Sequence, residues 1–342
     1  MATITFKPKQ VSKRLLSVLP SRARDIVSKR FGLNQNQPLT LEAIGQEYDI
    51  TRERVRQIEN FALQNIKKSD EYEAQRHVFE ELHNLIHDLG GVVSEDELLS
   101  YISKDPIVQN HIHFFLALGA TFQKHKEDAD FRHRWTVDAD TAQEVYAALK
   151  KLYAELSDEE LVAEPDLVKR FLSHLQNVST EYKKDEILKR WLGVSKRIDK
   201  NPLGEWGMAD SPNVRARGMR DYAFLVIRRH GNPMHFTEVA KAIEDTFGKK
   251  AHVATCHNEL IKDPRFVLVG RGLYALDEWG YVSGVVRDVL TEILEKYGPL
   301  TKEEIVDKVM KERYVKQNTI LVNLQNSDYF HKGKDGTYSL VA

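Results

Sequence analysis

Residues 40–68 read TLEAIGQEYDITRERVRQIENFALQNIKK. Thr40 is a good N-cap, and acidic Glu42 stands in the first turn behind it. Leu41, Ile44 and Tyr48 recur at helical spacing. Asp49-Ile50 breaks that pattern, and Asp tolerates the left-handed backbone a tight inter-helix turn needs. Thr51 caps a second helix with Val55, Ile58 and Ala62 on one face, and Gly45 leaves room for the two helices to cross closely. Two short helices joined by a three- to four-residue turn predict a helix-turn-helix.

The second helix carries the functional signal. With Val55, Ile58 and Ala62 inward, a rotation of about 100° per residue turns Glu53, Arg56, Gln57 and Asn60 outward. Arg52 and Arg54 lie on the flanks. Arg pairs bidentately with guanine, Gln or Asn with adenine, and Glu accepts from cytosine. A solvated helix face usually carries Lys/Glu pairs. Here three Arg, a Gln and a Glu crowd the first two turns, the end that enters a major groove.

Residues 19–33, LPSRARDIVSKRFGL, together with 40–60, resemble region 4 of the sigma-70 family of bacterial RNA polymerase initiation factors. Arg30-Phe31-Gly32-Leu33, Thr40-Leu41, Ile44-Gly45 and Thr51 through Glu59 stand at that family's spacing. The resemblance implies docking on a promoter −35 element. Arg52, Glu53 and Gln57 would read base edges, while Arg54 and Arg56 would contact phosphates or an activator. The helical wheel puts Arg56 nearer the groove than that. Thr40, Thr51 and Asn60 complete the expected DNA-binding set. The resemblance also implies binding to the flap of the polymerase β subunit through an apolar patch. Ile26, Val27 and Phe31 are candidates for that patch and for the core alike, with Phe31 expected in the core. About 18 residues precede the match, and nothing downstream resembles the regions with which a sigma factor binds core polymerase and melts DNA. The expectation is therefore a regulator that carries the −35 reader and does not open promoters alone.

Charge is unevenly distributed along the 342 residues. The total of 50 Lys/Arg against 51 Asp/Glu hides 13 against 6 in residues 1–68 and 17 against 28 in 69–211. Residues 212–280 carry 11 against 8, and 281–342 carry 9 against 9. A basic N-terminal module suits a DNA backbone, and the acidic middle suits protein partners or a spacer role.

Beyond residue 70 a unit recurs. Gly91-Val-Val-Ser-Glu, Gly231-Asn-Pro-Met-His and Gly298-Pro-Leu-Thr-Lys each follow an amphipathic helix and open a second one. A third helical stretch and an apolar/polar alternation follow, ending near Trp135, Trp206, Tyr274 and Tyr338. Three helices closed by a hairpin describe a winged helix. The predicted fold is mainly α with small β-hairpins: a helix-turn-helix at 1–70, then winged helices at 71–140, 141–211, 212–280 and 281–342. The copy at 141–211 lacks the Gly-turn.

In the third copy, helices are expected at about Arg217–His230, Thr237–Phe247 and His252–Lys262, and a wing over Phe266–Leu276 turning at Gly270-Arg271-Gly272. Its Asp221-Tyr222-Ala223 opening and Gly-Arg-Gly-Leu-Tyr-Ala-Leu close resemble the HARE-HTH family, a winged helix of the polymerase δ subunit and of chromatin and DNA-modification proteins. That resemblance implies binding to DNA or transcription machinery and no catalysis. Lys249, Lys250 and Arg271 are candidate secondary phosphate contacts, and Arg215, Arg217, Arg220, Arg228 and Arg229 add positive charge on or before its first helix.

Other chemistry is not expected. A single cysteine, Cys256, excludes an intramolecular disulfide and four-cysteine zinc sites, and it is expected in a helix-three core. His111 and His113 point to different helix sides and read as surface or capping residues rather than metal ligands. Glu127, Asp128, Asp130, Asp138 and Asp140 lack calcium-loop spacing and read as an acidic wing loop. Glu159-Glu160 read as a solvated helix start. No apolar run approaches the ~20 residues of a membrane span, and no signal-type stretch opens the chain. The expected protein is a cytoplasmic, nucleoid-associated, non-enzymatic regulator with no cofactor. Its expected partners are double-stranded DNA and RNA polymerase, through the β flap or another subunit, with no membrane. The alternatives are a δ-like polymerase accessory or architectural protein with little sequence preference, and a specificity subunit of a DNA-modification system.

Overall fold

The computed structural model describes residues 4–35, 37–281, 286–312, 315–333 and 335–341. The chain divides into two compact units, one of Met1–Asp199 with Trp206–Ala209, the other of Lys200–Glu205 with Asp210–Ala342. The domain boundary expected at residue 281 adjoins 282–285, which lie outside the described residues. The fold class is the expected one: helices dominate, and every sheet among the described residues is small and antiparallel.

Unit one begins with α1 (Pro8–Leu16), α2 (Ser21–Phe31), α3 (Leu41–Tyr48) and α4 (Arg52–Lys67). A short α5 (Asp70–Ala74) leads into α6 (Arg76–Asp88), β1 (Val92–Ser94), α7 (Glu95–Ile102), α8 (Pro106–Leu118), β2 (Gln123–His125) and β3 (Arg134–Thr136). Then come α9 (Ala139–Glu155), α10 (Glu164–Ser173), α11 (Asp185–Leu192), β4 (Ile198–Lys200) and β5 (Trp206–Met208). Unit two holds α12 (Met219–His230), β6 (Met234–His235), α13 (Phe236–Phe247), α14 (Val253–Lys262), β7 (Phe266–Gly270) and β8 (Leu273–Leu276). It continues through α15 (Val286–Tyr297), β9 (Leu300–Thr301), α16 (Lys302–Glu312), α17 (Gln317–Leu324), β10 (Phe330–Lys332) and β11 (Thr337–Leu340).

The repeat has one structural logic. In three copies a short strand before helix two pairs with the last strand of the hairpin, giving the orders β1-β3-β2, β6-β8-β7 and β9-β11-β10. The recurring aromatic sits on that central strand opposite an apolar residue: Trp135 faces Val93, Tyr274 faces Met234 and Tyr338 faces Leu300. The copy without a Gly-turn keeps the contact in minimal form, as a single bridge between Val162 and Trp206. Both tryptophans also donate their indole N–H to the first residue of helix two, Trp135 to Glu95 at 2.7 Å and Trp206 to Glu164 at 3.2 Å.

Within unit one the modules share cores. Val11, Leu15, Val27 and Phe31 form one apolar cluster with Val78, Leu82, Phe114 and Phe115. Val92 and Phe131 pack with Leu149, Phe171 and Trp191 of the next copy. Helix α8 is the joint with the N-terminal helices. Asn110 Nδ2 donates to the carbonyls of Gly32 (3.0 Å) and Gln35 (3.1 Å), Ser12 Oγ lies 2.8 Å from His111 Nδ1, and the Phe31 and Phe114 rings meet edge-on at 5.2 Å.

These joints correct several expectations. His111 is buried, and His113 packs between Phe31 and Trp135, so neither is a surface or capping residue. Both stand on a helix that is apolar on more than one side because it has two neighbours. Ile26, Val27 and Phe31 are all buried, which removes them as an exposed patch. Asp128 in the wing loop is not merely solvated. It accepts from the Asp130 and Phe131 amides and pairs with Arg134, while Asp138 caps α9 instead. Glu159-Glu160 lie in the loop before α10, with Glu160 paired to Arg170, not at a helix start.

Candidate nucleic-acid interface

The helix-turn-helix is built by its caps and its turn. Thr40 Oγ1 accepts from the Ala43 amide at 3.1 Å, and Thr51 Oγ1 from the Arg54 amide at 3.2 Å. Each threonine caps its helix and keeps a hydroxyl hydrogen free to donate outward. Asp49 takes φ 51° and is the only non-glycine with positive φ among the described residues. Its short polar side chain makes that conformation accessible. The Ile50 amide returns to the Gly45 carbonyl at 2.9 Å, and a Cβ on Gly45 would sit 2.6 Å from the Ile50 oxygen. Glycine is therefore required where the turn folds back over α3.

Behind α4, Val55 and Ala62 are fully buried, and Ile58 packs on a small cluster of Ile26, Ile44 and Val55. Arg30 of α2 reaches Glu59 at 3.3 Å, fastening the reader helix to its support. Lys29 bridges Asp25 and Glu47, and Asp25 also accepts from the Tyr48 hydroxyl. Those hydrogen bonds, Lys29 first, hold the Asp25 carboxyl below its usual range.

In front, Arg52, Glu53, Arg54, Arg56, Gln57 and Asn60 are all exposed on α4 with Thr51 at its start, and Thr40 is exposed at the start of α3. Val55 and Ala62 define the opposite side, so the predicted outward set does share one surface. The free helix keeps its longest side chains ordered. Arg56 closes on Glu53 through both carboxylate oxygens, at 2.9 and 2.7 Å, and Arg54 Nη1 donates to Gln57 Oε1 at 3.1 Å. The Arg56 guanidinium lowers the Glu53 pKa. Sequence reasoning passed over Phe61, which is 65% exposed one turn beyond Gln57. The same wheel would have found it, had it been carried past Asn60.

In unit two, Gly272 takes φ +70° at the wing turn and Arg271 is exposed beside it. Lys249 and Lys250 are exposed before α14, with the Lys249 ammonium 4.8 Å from the Tyr222 ring centroid. Arg215, Arg217, Arg220 and Arg229 are exposed, whereas Arg228 is tied to Glu205 at 2.7 Å. Cys256 is fully buried on α14 as expected, and burial pushes its thiol up to about 11. Among the described residues no cluster of three or more His, Cys, Asp or Glu is placed to hold a metal, and no helix is long and apolar enough to cross a membrane.

Comparison with known proteins supports both resemblances. The sigma-70 region 4 family matches residues 15–68, and the HARE-HTH family, described as an ASXL and restriction endonuclease HTH domain, matches 217–279. The chain is 48% identical over 56 residues to the RNA polymerase sigma-C factor of a Nostoc species, covering 16% of this chain and 14% of that protein. It is 49% identical over 55 residues to the RNA polymerase sigma factor RpoS of Coxiella burnetii, covering 16% of each. It is 41% identical over 58 residues to the sigma factor RpoD of Neisseria gonorrhoeae, covering 17% of this chain and 9% of that one. The chain thus spans 9–16% of the length of these relatives. One polypeptide joins a sigma region 4 domain to a HARE-HTH domain.

Proposed function

We propose that the chain is a non-catalytic regulator that reads duplex DNA resembling a −35 element. The observation that carries this reading is the exposed face of α4, where four of the first five residues are Arg or Glu and Gln57 follows, on a helix whose opposite side is locked into a core. Arg52, Glu53 and Gln57 meet base edges, with Asn60 a turn further on. Arg54, Thr51 and Thr40 meet phosphates, as does Arg56 once it parts from Glu53. In the HARE-HTH domain, Lys249 and Lys250 on one side of α14 and Arg271 on the wing supply a weaker, sequence-independent contact.

RNA polymerase remains the proposed protein partner, through surfaces other than Ile26, Val27 and Phe31, whose burial argues against that face. The test is a gel-shift titration on duplexes selected from a random pool. Wild-type protein should select a −35-like motif, and Arg52→Ala with Gln57→Ala should abolish the preference. Selective binding that survives the double substitution overturns α4 as the reader.

A further inference from the structure

In a winged helix the third helix is the element that enters a DNA groove. The copies here use that helix differently. In the first, α8 lies against α1 and α2. In the second, α11 lies against the turn before β1: the Trp191 indole donates to the Gly90 carbonyl at 3.2 Å, Arg190 pairs with Glu97 at 2.7 Å, and a Cβ on Gly90 would strike Ile187 at 2.6 Å. Both of these helices are consumed by packing inside the chain.

Helix α17 of the last copy is not consumed in this way. Ile320 and Leu324 turn inward, while Gln317, Asn318, Thr319 and Val322 are exposed, Val322 at 66%. The helix carries no charged residue. Exposed lysines stand around it, Lys316 at its N-cap and Lys332 on the hairpin strand β10.

We propose that α17 is a second duplex-DNA-reading helix and that it selects adenine–thymine pairs. Gln and Asn pair bidentately with adenine, and the methyl groups of Thr and Val fit the thymine methyl. The helix offers no Arg or Lys for guanine and no carboxylate for cytosine, in contrast to α4. Lys316 and Lys332 supply phosphate contacts, which position the helix without adding sequence information. Protein interfaces centre on aromatic and arginine anchors, and this outward face has neither. The neutral total charge of residues 281–342 thus arises from a polar, uncharged reading helix among flanking lysines, with the acidic residues placed elsewhere.

The full chain tests the proposal. Gln317→Ala with Asn318→Ala changes only exposed side chains, and an unchanged circular-dichroism melt verifies the fold. Selection from a random duplex pool should return an adenine/thymine-rich element besides the element read by α4. The α17 variant should lose that element and bind the selected duplex at least about tenfold more weakly. Arg52→Ala with Gln57→Ala should lose the other element and keep this one, so failure of α4 as reader and failure of α17 are distinguishable. The proposal is overturned if no adenine/thymine element is selected, or if the α17 variant binds the selected duplex as wild type does. It is overturned equally if the variant loses capture of RNA polymerase or another protein while its DNA selection is unchanged.

Discussion

Arg56 grips Glu53 across one turn of α4 through both carboxylate oxygens, so the reading face is partly self-neutralised before any DNA arrives. Contact with a phosphate has to compete with that pair. Glu53→Ala should free Arg56 and remove a negative charge from the face, raising affinity for random duplex while loosening selection at the position Glu53 reads. Each phosphate contact adds about 0.9 to the slope of log affinity against log salt. The slope should steepen by roughly that amount in Glu53→Ala and become shallower by a similar amount in Arg54→Ala. An unchanged slope in both variants would place these arginines away from the DNA backbone.

The N-terminal module leans on the first winged helix for its core. Phe114 is fully buried and meets Phe31 edge-on, with Phe115 against Phe6 on the same helix. Phe114→Ala should cost about 3–5 kcal/mol. The loss should appear as a lower melting temperature for the whole of unit one, because the cavity opens in a cluster both modules share. Residues 1–68 expressed alone should melt with low cooperativity, since α1 and α2 would present their α8-facing side to water.

His113 gives unit one a pH dependence. Its Nε2 lies 3.0 Å from the Lys124 ammonium, and burial followed by that ammonium pushes its pKa from an ordinary 6.5 down to about 4, with Glu95 opposing and Arg30 and His133 assisting. The folded ring is therefore neutral, and Nε2 accepts from Lys124. Above pH 6.5 both folded and unfolded chains hold His113 neutral, and it contributes no slope. Between 6.5 and about 4 the unfolded chain binds the extra proton, so stability falls with falling pH, by up to about 1.4 kcal/mol per unit. His111 is shifted in the same direction. Denaturant titrations from pH 7 to 4.5 should show this decline, and His113→Gln should flatten it.

Much of this organisation was legible in the sequence because it rests on local rules. Thr40 and Thr51 cap as expected, Asp49 adopts the left-handed turn, Gly45 is required at the crossing, and Gly270-Arg271-Gly272 turns the wing. Helix α8 shows where local rules stop. Its run Phe114-Phe115-Leu116 together with His111 and His113 has apolar or half-polar residues around most of its circumference. Such a pattern announces two neighbours without naming them. Histidines that looked solvated on a single amphipathic helix become packed once α1, α2 and β3 arrive. The flap-patch candidates went the same way, since apolar spacing on α2 is identical for a docking face and for a core face. The minimal strand at Val162 was hidden because one bridge needs no alternating run.

The HARE-HTH domain depends on one buried cation. Arg265 Nη2 donates to Asp263 at 2.6 Å and to Asp221 at 3.0 Å, Nη1 donates to Asn213 at 3.2 Å, and the guanidinium lies 5.1 Å from the Phe224 ring centroid. Asp221 in turn accepts from the Arg217 and Gly218 amides at the start of α12, so Arg265 joins the hairpin to the first helix of the domain. Asp221 and Asp263 are both buried; burial alone would raise the Asp263 pKa, and the hydrogen bonds from Arg265 hold it below its ordinary value all the same. Removing the cation strands two buried carboxylates, a loss of about 3–5 kcal/mol for pairs of this kind. Arg265→Met should therefore melt unit two well before unit one, while Arg265→Lys, which keeps the charge without the fork, should fall between. The carboxylate contribution exists above the unfolded Asp pKa and is lost as pH falls through the depressed folded value. Acidification below about pH 4 should thus destabilise the wild type toward the Arg265→Met variant, and the two melting curves should converge. A gap between them that persists at about pH 2.5, below the unfolded Asp range, would show that Arg265 acts by packing on Phe224 and not by pairing with the two aspartates.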